Sequence, residues 1–299
     1  MALRVTAGLY LLAAQSLPSL ASKFGLNEAI PQGIYDPRLS DSQTAELEDR
    51  RRRILGRLFR EGRIGWWDVF DASDIGAERN KLAELYVRHA SKVLDVGCGR
   101  GFFTFACSKI AREVTCVDLM NGLGRKGWWE QFGETASLLS VENTRGIRAS
   151  GSSLPLRSDS FDAVTLVHAM RNFQSRSEIR SLLKESLRVL RPDGRVVVAE
   201  SESNMDSHEA YDAFYALRTE LKWELRLPRA GELVRWLRES GFRRVSSEAH
   251  DWGLQYAPVY FPFDKTRLRG RERAWELARD LVIEKGESHP PVRVWTAVR

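Results

Sequence analysis

A short aliphatic run, Val93-Leu94-Asp95-Val96, breaks into three alternate glycines, Gly97, Gly99 and Gly101, and then opens into Phe102-Phe103-Thr104. No other stretch of the chain constrains its fold as much. The order predicts a strand, a tight loop and a helix start. Glycines at these positions can take positive φ and let a ligand lie against main-chain N–H groups at the positive end of the helix. Such a loop suits something flat or anionic. A second strand is expected at Val114-Thr115-Cys116-Val117, ending in Asp118. That acid falls about twenty residues beyond the first glycine, where a carboxylate at a strand end reaches ribose hydroxyls.

Asp95 lies two residues before the first glycine, where it would repel a pyrophosphate and suit an ammonium or sulfonium group. Asp95 to Gly101, read as Asp-Val-Gly-Cys-Gly-Arg-Gly, resembles the first motif of class I S-adenosylmethionine-dependent methyltransferases. The resemblance continues from about Lys92 to Phe242. It implies that Gly97, Cys98 and Gly99 line the methionine portion of S-adenosylmethionine, that Asp95 favours its ammonium group and that Asp118 binds the ribose. Leu119 would pack on the adenine. Ser150, followed by Gly151, stands where the family often has an Asp that accepts from the adenine amino group; a Ser accepts more weakly.

With 299 residues the chain can bury a sizeable core, and one domain with additions is expected. Lys and Arg (46) exceed Asp and Glu (40), but the charges are interspersed, which describes a solvated surface and gives no footprint for DNA. Cys98, Cys107 and Cys116 have neither metal spacing nor a pairing pattern and read as reduced core residues of a cytoplasmic protein, so no metal is expected. No run is long enough to span a membrane. Arg4, the apolar Val5–Ala14 and the small residues around Pro18 have the features of a signal peptide, against which a cytosolic cofactor argues. The other reading is an apolar helix packed on the domain or on a partner, and contact of this N-terminus with a membrane surface stays open.

Two parts follow from a pass along the chain: a helical N-terminal extension, 1–78, and the methyltransferase domain, 79–299. In the extension, Ser40 with Gln43 supplies a capping box before Leu47, Ile54, Leu55, Leu58 and Phe59 at helical spacing. Arg50 to Arg53 reads either as a patch for an anionic partner or as a solvated helix side with one snorkelling Arg. Gly65 to Phe70 is an aromatic cluster that either walls a pocket or anchors the extension. A helix at Lys81–His89 should lead into the first strand. After a glycine-rich stretch from Gly122 come strands at Ile147–Ser150, Ser160–Val167 and Arg195–Glu200, with an amphipathic helix capped by Ser175 before the last of these. A helix within 206–225 carries Tyr211 and Tyr215 and reads equally as a substrate lid or as core. Phe242–Val245 and Val292–Val298 complete the strands, around an insertion at 251–290 containing a helix from about Thr266 to Glu284. Strands alternating with helices imply a parallel sheet with the ligand site at its carboxyl ends. Joined to the resemblance, this gives an α/β, Rossmann-like, seven-stranded and mostly parallel sheet, with helices on both faces and an antiparallel last strand.

Four further pieces look like the branch of the ubiquinone/menaquinone C-methyltransferases: Leu154-Pro155-Leu156, Ser160-Phe161-Asp162, Ala169-Met170-Arg171-Asn172 and Arg188 to Gly194. Departures are Ser150, Asp193, the extension and the late insertion. The resemblance implies in-line transfer of a methyl group from sulfonium to a small, aromatic or isoprenoid-linked acceptor. His168, at the end of the fourth strand, has the intrinsic pKa to take a proton from a phenolic or enolic acceptor. Arg171 and Asn172 either bind a substrate oxygen or lock the strand-to-helix turn, and Tyr211 and Tyr215 are further candidates for substrate contact. No Asp/Asn-Pro-Pro-aromatic motif follows the fourth strand, which argues against methylation of a nucleic-acid base. Two rivals remain: an RNA- or protein-modifying methyltransferase, and a non-catalytic cofactor-binding subunit of a larger assembly.

Overall fold

Runs of β-branched residues separated by amphipathic helices fold as an alternating strand and helix structure. The computed structural model describes residues 7–26, 39–119, 128–173, 175–202, 209–221, 229–252, 268, 270–285 and 289–299. In chain order the elements are α1 (Ala7–Lys23), α2 (Asp41–Arg60), α3 (Trp66–Ala72), α4 (Asp74–Tyr86), β1 (Lys92–Val96), α5 (Phe102–Ser108), β2 (Glu113–Asp118), α6 (Trp128–Leu138), β3 (Thr144–Arg148) and β4 (Phe161–Val167). A 3-10 turn (Met170–Asn172) leads to α7 (Arg176–Val189), β5 (Leu190–Ser201), α8 (Glu209–Glu220), α9 (Ala230–Glu239), β6 (Arg243–His250), α10 (Glu272–Lys285) and β7 (Val292–Val298).

The chain divides into two units. One holds Met1–Glu78 with Ser203–Leu217 and Trp252–Pro290; the other holds Arg79–Glu202 with Arg218–Asp251 and Pro291–Arg299. In the first unit, α1 is covered on most sides: every residue from Leu12 to Leu17 is buried, as are Leu20 and Ala21, and the helix packs on α3 and α2. Gln15 accepts at Oε1 from the Ile75 N–H at 3.2 Å. The expected capping box starts α2: Gln43 N–H donates to Ser40 Oγ (3.4 Å) and Ser40 N–H to Gln43 Oε1 (2.9 Å). Of the arginine run, Arg51 is buried, while Arg52 and Arg53 pair with Glu48 and Asp49 one turn earlier. Arg52 and Arg53 face solvent as a solvated helix side would, but Arg51 is 2% exposed, so its guanidinium is buried with its stem and does not snorkel. In the same unit Lys285 of α10 pairs with Glu209 of α8 at 2.5 Å, and the Tyr211 ring meets the His289 ring edge-on at 5.4 Å.

The second unit is built on a seven-stranded sheet of order β3-β2-β1-β4-β5-β7-β6. β1 to β5 run parallel, and β7 is antiparallel to both β5 and β6. Strand side chains alternate between faces. Leu94, Val96, Val164, Leu166, Val196 and Val198 share a core with Ile179, Leu182 and Leu183 of α7 and Leu233, Trp236 and Leu237 of α9. Asp95 and Thr165 point to the opposite face, where Thr104 of α5 meets Asp95.

Several boundaries differ from expectation. β3 lies at Thr144–Arg148, not Ile147–Ser150, because it is an exposed edge strand with polar residues and no apolar alternation to mark it; Trp129 of α6 covers its Gly146. β5 begins at Leu190, which pairs with Phe161, and the ladder then slips before Arg195 pairs with Ala163; Asp193, at φ +62°, lies within the slip. The helix before β1 ends at Tyr86, not His89, and its Leu85 faces solvent at 58% exposure. The late helix begins at Glu272, not Thr266. The expected Gly122–Gly127 stretch and both flanks of α8 lie outside the described residues, as does most of the 251–290 insertion before α10.

Candidate active site

The carboxyl ends of β1, β2, β4 and β5 gather most of the residues singled out by sequence. Gly97, Gly99 and Gly101 all take positive φ, at 75°, 54° and 86°. The amides of this loop are used inside the protein. Gly97 and Cys98 N–H both donate to Val117 O (2.7 and 3.3 Å), Gly99 N–H to Asp118 Oδ2 (2.9 Å) and Gly101 N–H to Cys98 O (2.9 Å). The expectation of N–H groups offered directly to a ligand is therefore corrected at these four positions: three of the amides fasten the loop to β2 and that of Gly101 closes the loop on itself, while α5 starts at Phe102 as expected.

Asp95 is 1% exposed and ties two elements together. Its Oδ2 accepts from Thr104 Oγ1 (2.7 Å) and its Oδ1 from Thr165 Oγ1 (3.1 Å). Burial pushes its pKa up to about 6, against the two threonine hydrogen bonds, which favour the charged form. Asp118, also buried, faces the loop. Cys98 is half-buried, and burial beside the Cys116 thiol holds its pKa well above the ordinary thiol range, so it stays neutral. Leu119 keeps 39% of its surface open. Ser150 is bonded within its own turn, to Ser152 Oγ (2.8 Å) and Ser152 N–H (3.3 Å). A side chain on Gly151 would strike Val96 Cγ1 at 2.6 Å.

At the end of β4, His168 sits at φ +50°, with its N–H bonded to Ala199 O at 2.8 Å. A non-glycine residue in that region is uncommon and clusters at functional sites. Arg171 is buried against Glu200, with Nε at 3.0 Å and Nη2 at 2.8 Å from Oε2. Asn172 Nδ2 donates to His168 O (3.3 Å). Arg171 thus ties the turn to β5, and Asn172 is engaged within the turn. Tyr211 and Tyr215 are buried on α8, in the other unit. Sequence reasoning missed Thr104, Thr165, Glu200 and Ser201. Glu200 had a signal: it is a charge closing the apolar run Val196–Ala199.

Two carboxylates, an open leucine and a loop whose glycine amides are already bonded fit a cationic nucleoside better than a pyrophosphate, which needs free N–H groups. Residues 94–198 match the family model of a methyltransferase domain. The chain contains a class I S-adenosylmethionine-dependent methyltransferase domain. The domain is similar to demethylmenaquinone methyltransferase of Staphylococcus aureus, 29% identical over 196 residues that cover 64% of this chain and 70% of the relative. Among solved structures, YcgJ of Bacillus subtilis aligns with a TM-score of 0.52 at 22% identity, over 76% of this chain and 97% of its own. Phosphoethanolamine N-methyltransferase 2 of Haemonchus contortus, solved with S-adenosylhomocysteine, aligns at 0.51 and 12% identity, over 75% of this chain and 52% of its own. These two show the shared fold of the methyltransferase domain. Among the described residues no helix is long and apolar enough to cross a membrane, and no group of three His, Cys, Asp or Glu side chains gathers as a metal site.

Proposed function

We propose that the domain methylates a small aromatic or isoprenoid-linked acceptor whose reacting atom must shed a proton, as a phenol or enol does. The observation that carries this reading is His168: a partly exposed imidazole, held in left-handed backbone at the end of β4, one residue before Ala169, which packs on Gly97 of the cofactor loop. The similarity to a demethylmenaquinone methyltransferase supports the acceptor class.

S-adenosylmethionine supplies an electrophilic methyl carbon that needs no acid or base at the donor side. The chain's own part is to hold donor and acceptor in line, worth several kcal/mol of barrier. Gly97, Cys98 and Gly99 shape the floor under the methionine portion. Buried Asp95 supplies a negative field for its ammonium group, Asp118 takes the ribose hydroxyls, Leu119 covers the adenine, and Ser150 and Gly151 border it. His168 accepts the proton. Arg171 and Asn172 keep the turn that aims His168, a role that fits their bonding better than direct contact with substrate.

The test is incubation of the full chain with methyl-labelled cofactor and fractionated cell extract, alongside a demethylated quinone. Label in the small, lipid-soluble fraction supports the reading. Label in RNA or protein instead overturns it.

A further inference from the structure

The ends of β4 and β5 carry a buried polar cluster of which the family motifs cover only Met170 and Arg171. Glu200 is 2% exposed. Its Oε1 accepts from the Met170 N–H at 2.7 Å, and its Oε2 accepts both Arg171 bonds. The same Oε2 lies 3.9 Å from His168 Nδ1, and Ser201 Oγ lies 3.3 Å from that nitrogen. One side of the imidazole is therefore faced by an acceptor-only carboxylate and a hydroxyl that can accept. A lone pair on Nδ1 would face the carboxylate's negative charge; an N–H there is attracted to it. The bond made by one ring nitrogen fixes the role of the other.

We propose that Glu200 and Ser201 are positioning residues that hold His168 as the Nδ1–H tautomer, donating towards Ser201 Oγ, so that Nε2 is the basic nitrogen presented to the acceptor. The inference rests on the reading of His168 as the proton acceptor. The step balances as follows: His168 takes the acceptor's proton at Nε2, the freed electron pair forms the bond to the methyl carbon, and the electrons of the broken carbon–sulfur bond go to sulfur.

The charged groups around the ring define the sign of the effect. Glu200 on β5 favours the imidazolium, while Arg171 on the 3-10 turn partly cancels it. Arg293 on the adjacent β7 is itself clamped to Glu202, at 2.8 and 3.0 Å. Replacing Glu200 by Gln removes the favourable charge and leaves Arg171 unopposed. Both changes lower the affinity of His168 for a proton.

The experiment uses full-length protein labelled with nitrogen-15 in its five histidines, with imidazole nitrogen–proton correlation spectra recorded across a pH titration and the His168 signal assigned by its loss in His168→Asn. The expected parent spectrum shows neutral His168 with the proton on Nδ1. Glu200→Gln should lower its titration midpoint by about one unit, a tenfold loss of proton affinity. Ser201→Ala, the milder change, should bring up the Nε2–H form. A parent His168 protonated on Nε2, or a tautomer and midpoint unmoved by Ser201→Ala, overturns the proposal whether or not Glu200→Gln folds. Calorimetry with S-adenosylmethionine on the same samples separates the two readings: heat on binding with no change at the ring sinks only this inference, whereas no heat in the parent sinks the cofactor reading and leaves the tautomer to be read on its own.

Discussion

Gly97 and Ala169 lie against each other between the cofactor loop and the end of β4: a Cβ on Gly97 would stand 2.6 Å from the Cβ of Ala169. The contact couples the loop on β1 to the turn that carries His168, the preceding residue. Movement of either is felt by the other, because a packed interface does not deform continuously.

Gly97→Ala should therefore do two kinds of harm. It places a side chain at φ +75°, and it drives that side chain into Ala169. Together these should cost about 1–3 kcal/mol of stability and weaken cofactor binding by tenfold or more. Ala169→Gly in the same protein relieves the clash and not the φ strain, so it should restore part of the loss. Urea unfolding and calorimetry on the single and double variants measure both. No recovery in the double variant would mean that the contact does not couple the two segments.

Asp118 bonds the amide of Gly99, and its assignment to the ribose adds a second task. Asp118→Ala removes a charged hydrogen-bond acceptor worth about 1.5–3 kcal/mol. The dissociation constant for S-adenosylmethionine should rise roughly 10- to 100-fold. An unchanged constant by calorimetry would remove Asp118 from the cofactor site.

What the sequence made legible was the part written in strong local signals. The glycine loop, Asp118, the apolar strands and the Ser40 capping box all lie where spacing and side-chain chemistry put them. The polar edge strand β3 did not announce itself, since exposed strands need no apolar alternation. The branch motifs were legible as a resemblance but not as physics. Asp162 accepts from Ser91 N–H (3.0 Å), Lys92 N–H (2.8 Å) and Arg191 (2.7 Å); burial acts to raise its pKa, and these partners hold it below the ordinary range. Arg188 clasps Glu185 and the carbonyls of Leu154 (3.1 Å) and Leu156 (2.8 Å). Those motif residues fasten the scaffold. The cluster of Glu200, Arg171 and His168 was not legible, because Glu200 lies about thirty residues beyond the other two and only the parallel pairing of β4 with β5 brings it to them.

The raised pKa of Asp95 sets a pH dependence. A carboxyl that titrates near 6 when folded and near 3.8 when unfolded binds its proton more tightly in the folded state. Its contribution is thus fully present below about pH 4 and is lost as pH rises through about 6, a change of about 3 kcal/mol. Relative to Asp95→Asn, the parent should lose that much between pH 4 and pH 7 in urea unfolding without cofactor. Equal slopes for the two proteins would show that burial does not hold the carboxyl up. If Asp95 also serves the cofactor's ammonium group, parent affinity should strengthen above pH 6, and that of Asp95→Asn should not.

His168→Asn keeps a side chain of similar reach but removes the base. General-base loss costs about 10²- to 10⁴-fold, so kcat should fall by at least the lower figure while cofactor affinity holds. The ascending limb of the pH–rate profile should vanish with it. A variant that kept both the rate and the limb would show that the acceptor ionises without help from this residue.

The Arg171–Glu200 pair should behave differently from a surface bridge. Both side chains are buried, and Glu200 also satisfies the Met170 amide. Removing one partner leaves an uncompensated charge, a cost of about 3–5 kcal/mol. Arg171→Met should therefore destabilise strongly, whereas adding Glu200→Gln removes the stranded charge, keeps an acceptor for the amide and should recover much of the loss. Denaturation of the two singles and the double gives the coupling directly. Additive losses would mean that the two side chains do not depend on each other and that the turn beneath His168 is held by its backbone alone.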